Sequence, residues 1–439
     1  MDVHRYDGTP SSTDDWSAVF VGDCLPPSDL FPEPIGQNVR ELISAAELSV
    51  ANLEAPLPSG EPIAKPAPAH SVPDETPTVL ESSGFDVVTL ANNHMIDYGA
   101  AGLDRTMDAC RDAGLETVGA GECTEAALTP LTDTISGTDV ALFALSQRWP
   151  SNVAEADAPG VAWIDAPGVT RAVRRASANN DVCIVVLHGG VGYSPLPSPA
   201  WQTRARSFVD LGADAVVCHH PHVAQGWETY QGAPIFYSLG NFLFPTSKPS
   251  TRWTCSARLA VTDDEIGSAD VVLTHIEDDT VELLDPEASG AKQWNHLERL
   301  SEIIQSYPES RGYWQEVAAR LFEQRFEEIL QEYGCGPVQS LVRFPEQEAG
   351  RLLDGTSPGE GRRLDQQKQL LTQFQQESFR NVIVDTLAVR TGTTVDDRTD
   401  AIEAEVDELM RWVDRFPQPS RTDVWRYRLR ALYRNLKPT

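Results

Sequence analysis

Strand after strand in the first half of this chain ends in a side chain able to hold a metal ion. Ala18-Val19-Phe20-Val21-Gly22 runs into Asp23, and Ser49-Val50-Ala51 runs into Asn52-Leu53-Glu54. Val87-Val88-Thr89-Leu90-Ala91 leads to Asn92-Asn93-His94, then to Asp97. Ile184-Val185-Val186-Leu187 leads to His188, and Ala215-Val216-Val217-Cys218 to His219-His220-Pro221-His222. Short, nearly all apolar, β-branched runs of this kind suit strands covered on both faces. Stretches with helical spacing lie between them: Ile35 to Ala46, Gly102 to Ala113 and Trp201 to Leu211. The alternation predicts an α/β layered fold. In such a fold, loops converge at the carboxyl ends of the strands and ligands gather there.

The side chains at those ends are carboxylates, imidazoles and amides, the donors that suit Zn, Mn or Fe. Bound metal lowers the pKa of water and clamps the oxygens of a phosphoester, and a histidine outside the ligand set can move the leaving-group proton. Taken singly, Asp23 could be a turn residue, Asn52 and Glu54 capping groups, and His94 a structural histidine. The His219 to His222 cluster is stronger, because close imidazoles after an apolar strand are costly to desolvate without a purpose.

Further along, the runs Ala257 to Val261, Val271 to Ile276 and Val281 to Leu284 are closely spaced and read as antiparallel. After about residue 290 the period becomes helical, at Leu297, Leu300, Ile303 and Ile304, then Val317, Leu321, Phe322, Phe326, Ile329 and Leu330, then Ile402, Val406, Leu409, Met410 and Val413. A polar connection is expected near residues 355–370. The division expected is a flexible N-terminus over 1–17, an α/β domain over 18–288 and a helical region over 289–439.

Asp and Glu number 65 against 35 Lys and Arg, a formal net charge of −30. That balance opposes nonspecific nucleic-acid binding, which needs clustered cations, so no nucleic-acid partner is expected. Self-repulsion at this charge destabilises the compact state in dilute buffer. At 1 M salt the Debye length falls to about 3 Å and the repulsion is screened. A halophilic source is therefore expected, and the urea midpoint should rise between low and molar salt. The seven cysteines lack CxxC spacing, which points to reduced thiols. Met1 to Ser17 is polar and acidic, unlike a signal peptide, so a soluble, cytoplasmic chain is expected. Near the C-terminus, Arg421, Arg426, Arg428, Arg430, Arg434 and Lys437 surround Val424, Trp425, Tyr427 and Leu432. Such a basic amphipathic helix suits an anionic membrane surface or an acidic partner, but this chain's own acidic body is the nearer target.

From Ala18 to Phe244 the chain resembles the CapA family of capsule and poly-γ-glutamate synthesis proteins. The resemblance rests on Val21-Gly22-Asp23, Ala51-Asn52-Leu53-Glu54, Gly84 through His94 with Asp97-Tyr98-Gly99, Gly119-Ala120-Gly121, Gly212 through Val223, and Tyr237-Ser238-Leu239-Gly240-Asn241-Phe242. It implies a calcineurin-like metallophosphoesterase sandwich, α/β/β/α in four layers. It implies one or two divalent ions (Mn, Zn or Fe) held by Asp23, Glu54, Asn93, His188, His220 and His222, with His94 as general acid. Lys65, Arg252 and Asn92 are expected to bind an anionic polymer or phosphoester substrate. Two departures stand out. Leu25 occupies the position where the phosphoesterases place a histidine, which removes one ligand from a dinuclear set. Gly189 and Gly192 replace the aromatic and acidic groups of the family's His-Trp-Gly-x-Glu run. Two functions remain open: a metal-dependent hydrolase, or a non-catalytic component of a capsule-assembly complex.

Overall fold

The computed structural model describes residues 3–6, 14–26, 34–63, 65, 69–149, 152–244, 251–277, 280–324 and 376–413. Two large sheets pack face to face over one continuous apolar core. The first sheet runs in the order Val3–Arg5, Glu265–Glu277, Trp253–Thr262, Trp16–Cys24, Leu48–Leu53, Val87–Thr89, Glu116–Val118. From Trp16–Cys24 to Glu116–Val118 its strands are parallel. Asn241–Leu243 also pairs parallel with Trp16–Cys24, and Thr280–Leu283 pairs antiparallel with Glu265–Glu277. The second sheet runs Trp227–Tyr230, Ala233–Phe236, Ala215–His219, Val182–His188, Thr138–Ser146, Leu131–Ile135, with its middle four strands parallel.

Helices cover both outer faces. Gly99–Ala113 packs beside Glu116–Val118 and against Thr76–Ser82, while Val169–Asn179 and Pro199–Val209 pack on the second sheet. The result is a four-layered α/β/β/α sandwich followed by helices: the pattern of runs predicts the α/β layering, and the resemblance to the CapA family implies the four layers. The apolar runs form their strands because both faces are covered: Val182 through Leu187 are all at most 2% exposed. The late antiparallel strands are also present, at Trp253–Thr262, Glu265–Glu277 and Thr280–Leu283.

One expectation is corrected. Residues 1–17 are not simply a flexible leader, since Val3–Arg5 pairs parallel with Ala269 to Val271 and Trp16 is buried in the first sheet. Three residues with half-exposed and exposed side chains carry no readable period, and only the waiting edge of Glu265–Glu277 makes them a strand.

Beyond the sheets, Ala291–Gln305 lies against Trp227–Tyr230. Arg311–Phe322 packs with Glu377–Arg390 and Asp400–Trp412. Phe326, Ile329, Leu330, the 355–370 connection, Cys335 and the basic tail from Arg421 to Lys437 lie outside the described residues. The six described cysteines are free thiols. Among the described residues no helix is long and apolar enough to cross a membrane.

One glycine sets the position of a site residue. A Cβ on Gly22 would stand 2.3 Å from the carbonyl oxygen of Gly240, whose own φ is +77°. This close approach sets Asp23 N 2.9 Å from the same oxygen. Gly22→Ala must separate the two backbones, and it should destabilise the fold by about 3 kcal/mol, read as a fall in urea midpoint.

Candidate metal centre

The carboxyl ends of the two sheets meet, and each sheet contributes half of one buried cluster. Asp23, Glu54 and Asn93 come from the first sheet; His188, His220 and His222 come from the second. Asp23 is fully buried at the end of Trp16–Cys24, and Glu54 is 1% exposed just past Leu48–Leu53. Candidate ligand atoms of Asp23, Glu54 and His188 lie within 4.8 Å of one another, as do those of Glu54, His220 and His222. Glu54 is thus shared by two possible coordination sets. Asn93 Oδ1 lies 2.8 Å from His188 Nε2, so the amide joins the same group.

Asn52 holds the carboxylates in place. Its Nδ2 donates to Asp23 Oδ1 and to Glu54 Oε2, each at 2.8 Å. Its Oδ1 accepts from Thr89 Oγ1 at 3.2 Å. Asp23 is further flanked by His219 Nδ1 at 3.3 Å and His222 Nδ1 at 3.1 Å. His222 Nδ1 also lies 3.0 Å from Asn241 Oδ1, at the strand that pairs with Trp16–Cys24. The histidine turn is strained to make this possible. His220 has φ +99° and His222 φ +59°, conformations that cost a non-glycine residue roughly 1–3 kcal/mol each.

The electrostatics sort the two carboxylates. Burial pushes Asp23 up, but the adjoining His219 and His222 imidazoles outweigh it and hold the carboxyl well below its usual range. Burial and then the Asp23 charge push Glu54 well above its usual range. Burial and the neighbouring His220 hold the His188 imidazolium well below its usual value. Glu54 Oε1 is buried, has no hydrogen-bond partner among the described residues, and faces His188 Nε2 at 3.6 Å. An unsatisfied buried carboxylate oxygen beside imidazoles is a costly arrangement that a cation would relieve. The donor set of carboxylate, imidazole and amide oxygen therefore fits a divalent transition ion.

His94 stands beside this cluster and outside both coordination sets. Its Nδ1 is 2.8 Å from Asp97 Oδ2 and 3.2 Å from Lys65 Nζ. Lys65 also pairs with Asp97 Oδ1, and the His70 ring meets His94 edge-on at 4.5 Å. Burial pushes the His94 imidazole down to about 4; Asp97 opposes the shift and Lys65 adds to it. Fixing Nδ1 against a carboxylate leaves Nε2 as the nitrogen that can serve a reacting group.

Lys65 therefore stands beside His94. Asn92 does not offer its amide to a substrate. It is fully buried, with Oδ1 accepting from the His94 and Met95 amides at 3.1 and 2.9 Å and Nδ2 donating to Leu53 O at 2.7 Å. Its role is to hold the turn that presents Asn93 and His94. Arg252 is exposed, and the buried cluster is built without it. At the first departure from the family's pattern, Leu25 is buried and its amide donates to Leu243 O at 2.7 Å. At the second, a Cβ on Gly189 would meet the Trp201 ring at 2.6 Å and Gln147 at 2.8 Å, so no larger side chain fits. A Cβ on Gly192 would sit 3.7 Å from His220 Nε2.

The spacing of strand ends does not single out Asn52 as the hub, Asn241 as a brace for His222, or Trp149, whose ring lies 4.9 Å from His220. Asn241 does carry a signal, since Gly240-Asn241-Phe242 closes the run of motifs shared with the CapA family.

The profile of the bacterial capsule synthesis protein PGA_cap matches residues 18–246. The capsule biosynthesis protein CapA of Bacillus anthracis is 33% identical over 213 residues, covering 47% of this chain and 52% of that protein. The PGA biosynthesis protein CapA of Bacillus subtilis (strain 168) is 30% identical over 253 residues, covering 55% of this chain and 66% of that protein. The chain thus spans between about half and two thirds of the length of these relatives.

Proposed function

This chain belongs to the bacterial capsule synthesis protein family PGA_cap, and on that premise we propose that its buried cluster is a metal-dependent hydrolase site of phosphoesterase type, serving capsule or poly-γ-glutamate synthesis. The observation that carries this reading is Glu54. A carboxylate buried without a partner for one oxygen, and common to two sets of ligand atoms, is what one or two divalent ions would require.

Asp23, Glu54, Asn93, His188, His220 and His222 would hold the ion, which when bound supplies Lewis acidity and an acidified water. The chain's own residues do the rest. Asn52 fixes both carboxylates, and the Asp97 carboxylate keeps the His94 ring in one tautomer. An anionic group brought against His94 would raise its imidazole from about 4 toward the range in which a general acid works. Lys65 offers that anion a charge beside the same ring.

A second reading, a non-catalytic assembly component, draws support from Gly189 and Gly192. They leave the histidine loop without the aromatic and acidic groups of the family's usual run. Metal analysis with a chromogenic phosphodiester assay separates the two. Stoichiometric metal with turnover, lost in His94→Ala and in His222→Ala, supports the hydrolase. A metal-free protein without turnover that copurifies with a synthesis partner would favour assembly and sink the first reading.

A further inference from the structure

Among the described residues, most arginines of this acidic chain are paired with carboxylates. Arg206 holds Glu228, Arg258 holds Asp14 and Asp270, Arg299 holds Glu405, and Arg398 holds Asp396 and Glu316. The helix Val169–Asn179 is an exception. Arg171, Arg174 and Arg175 are exposed, and among the described residues none of them has an ion pair or side-chain hydrogen bond, although carboxylates outnumber cations 65 to 35. Their spacing of three and four residues puts the three guanidinium groups along one side of the helix.

That side borders a cleft of about 1160 Å³ between the helix and the segment from Cys123 to Thr132. Arg171 and Arg175 line it, and Arg171 and Arg174 line a smaller hollow alongside. None of the lining residues belongs to the metal centre. Asn179 adds a neutral hydrogen-bonding group to the wall, while the Thr124 and Thr129 hydroxyls donate to the Ala154 and Glu125 carbonyls.

We propose that this cleft binds an extended, carboxylate-rich chain. Guanidinium groups accept carboxylates in a two-pronged geometry. One helical turn advances about 5.4 Å, close to the roughly 6.7 Å between same-side groups of an extended peptide. Arg171 at one end of that turn and the Arg174–Arg175 pair at the other can therefore meet two same-side carboxylates. No aromatic ring lines the cleft, so it lacks the stacking platform by which single-stranded nucleic acids are held. Glu125 on the wall opposes a phosphate dianion more than singly charged carboxylates.

The test is fluorescence anisotropy of the full chain with a labelled poly-glutamate peptide at low salt, competed with an oligonucleotide of equal charge. Native protein should bind. The Arg171→Ala/Arg174→Ala/Arg175→Ala variant should bind at least about tenfold more weakly at an unchanged thermal midpoint. No binding by native protein, equal binding by the triple variant, or displacement by an equal or lower concentration of oligonucleotide each overturns the proposal. Because the readout is binding alone, its outcome is separate from that of the hydrolase reading.

Discussion

Glu54→Gln should abolish metal binding and at the same time stabilise the metal-free protein. In the absence of an ion, the native side chain holds a buried carboxylate oxygen with no hydrogen-bond partner among the described residues. A glutamine keeps the acceptor that Asn52 Nδ2 bonds at 2.8 Å and puts a neutral group in place of the charged oxygen that lies 3.6 Å from His188 Nε2. Removing an unsatisfied buried charge is worth about 1–3 kcal/mol. The pH dependence has a definite sign. Burial and Asp23 raise the Glu54 carboxyl, so its favourable contribution is complete below the ordinary value of 4.5 and is lost as pH rises through the elevated one. The stability gap between Glu54→Gln and the native chain, both with chelator, should therefore widen from acid toward neutral pH. Metal affinity should fall by more than about a hundredfold, since even outer partners of ligands cost ten- to a hundredfold. Chelated denaturation curves and metal analysis read both effects. A variant that keeps its metal, or that is less stable without it, would remove Glu54 from the centre.

The second large effect concerns His94. Its replacement by alanine should lower kcat by about 10²–10⁴-fold, the usual contribution of a proton-transfer group, and leave metal content unchanged. The split arises from geometry, because His94 Nδ1 donates to Asp97, with Lys65 Nζ 3.2 Å away, and His94 belongs to neither ligand set. Loss of metal together with activity would make His94 a ligand or a prop for one. Full activity with full metal content would leave the proton transfer to another group.

Much of the fold and the site is legible in the sequence alone. Apolar runs ending in Asp23, Glu54, His188 and the His219 to His222 cluster mark strand ends, and strand ends in an α/β fold converge. The period of two or 3.6 residues reports burial by neighbours near in sequence, and it locates the elements to within a few residues. It cannot report which side chains meet across the sheets. Asn52 looks like a capping residue until Asp23 and Glu54 are placed on either side of it. Asn92 and Asn93 are adjacent and chemically identical, yet one is spent on backbone amides and the other faces His188. Val3–Arg5 is too short and too exposed to show a period, so its pairing is decided wholly by the open sheet edge.

The division of the ligands between two sheets has a mechanical consequence. An ion held by Asp23 and Glu54 on one side and by His188, His220 and His222 on the other would be a rivet through the sandwich. Sliding one layer past the other would require its bonds to break first. Metal loading would then act on the lifetime of the folded chain as well as on its free energy, slowing unfolding to the extent that those bonds are already broken in the transition state. The same ion that serves the chemistry would set how long the two layers stay together.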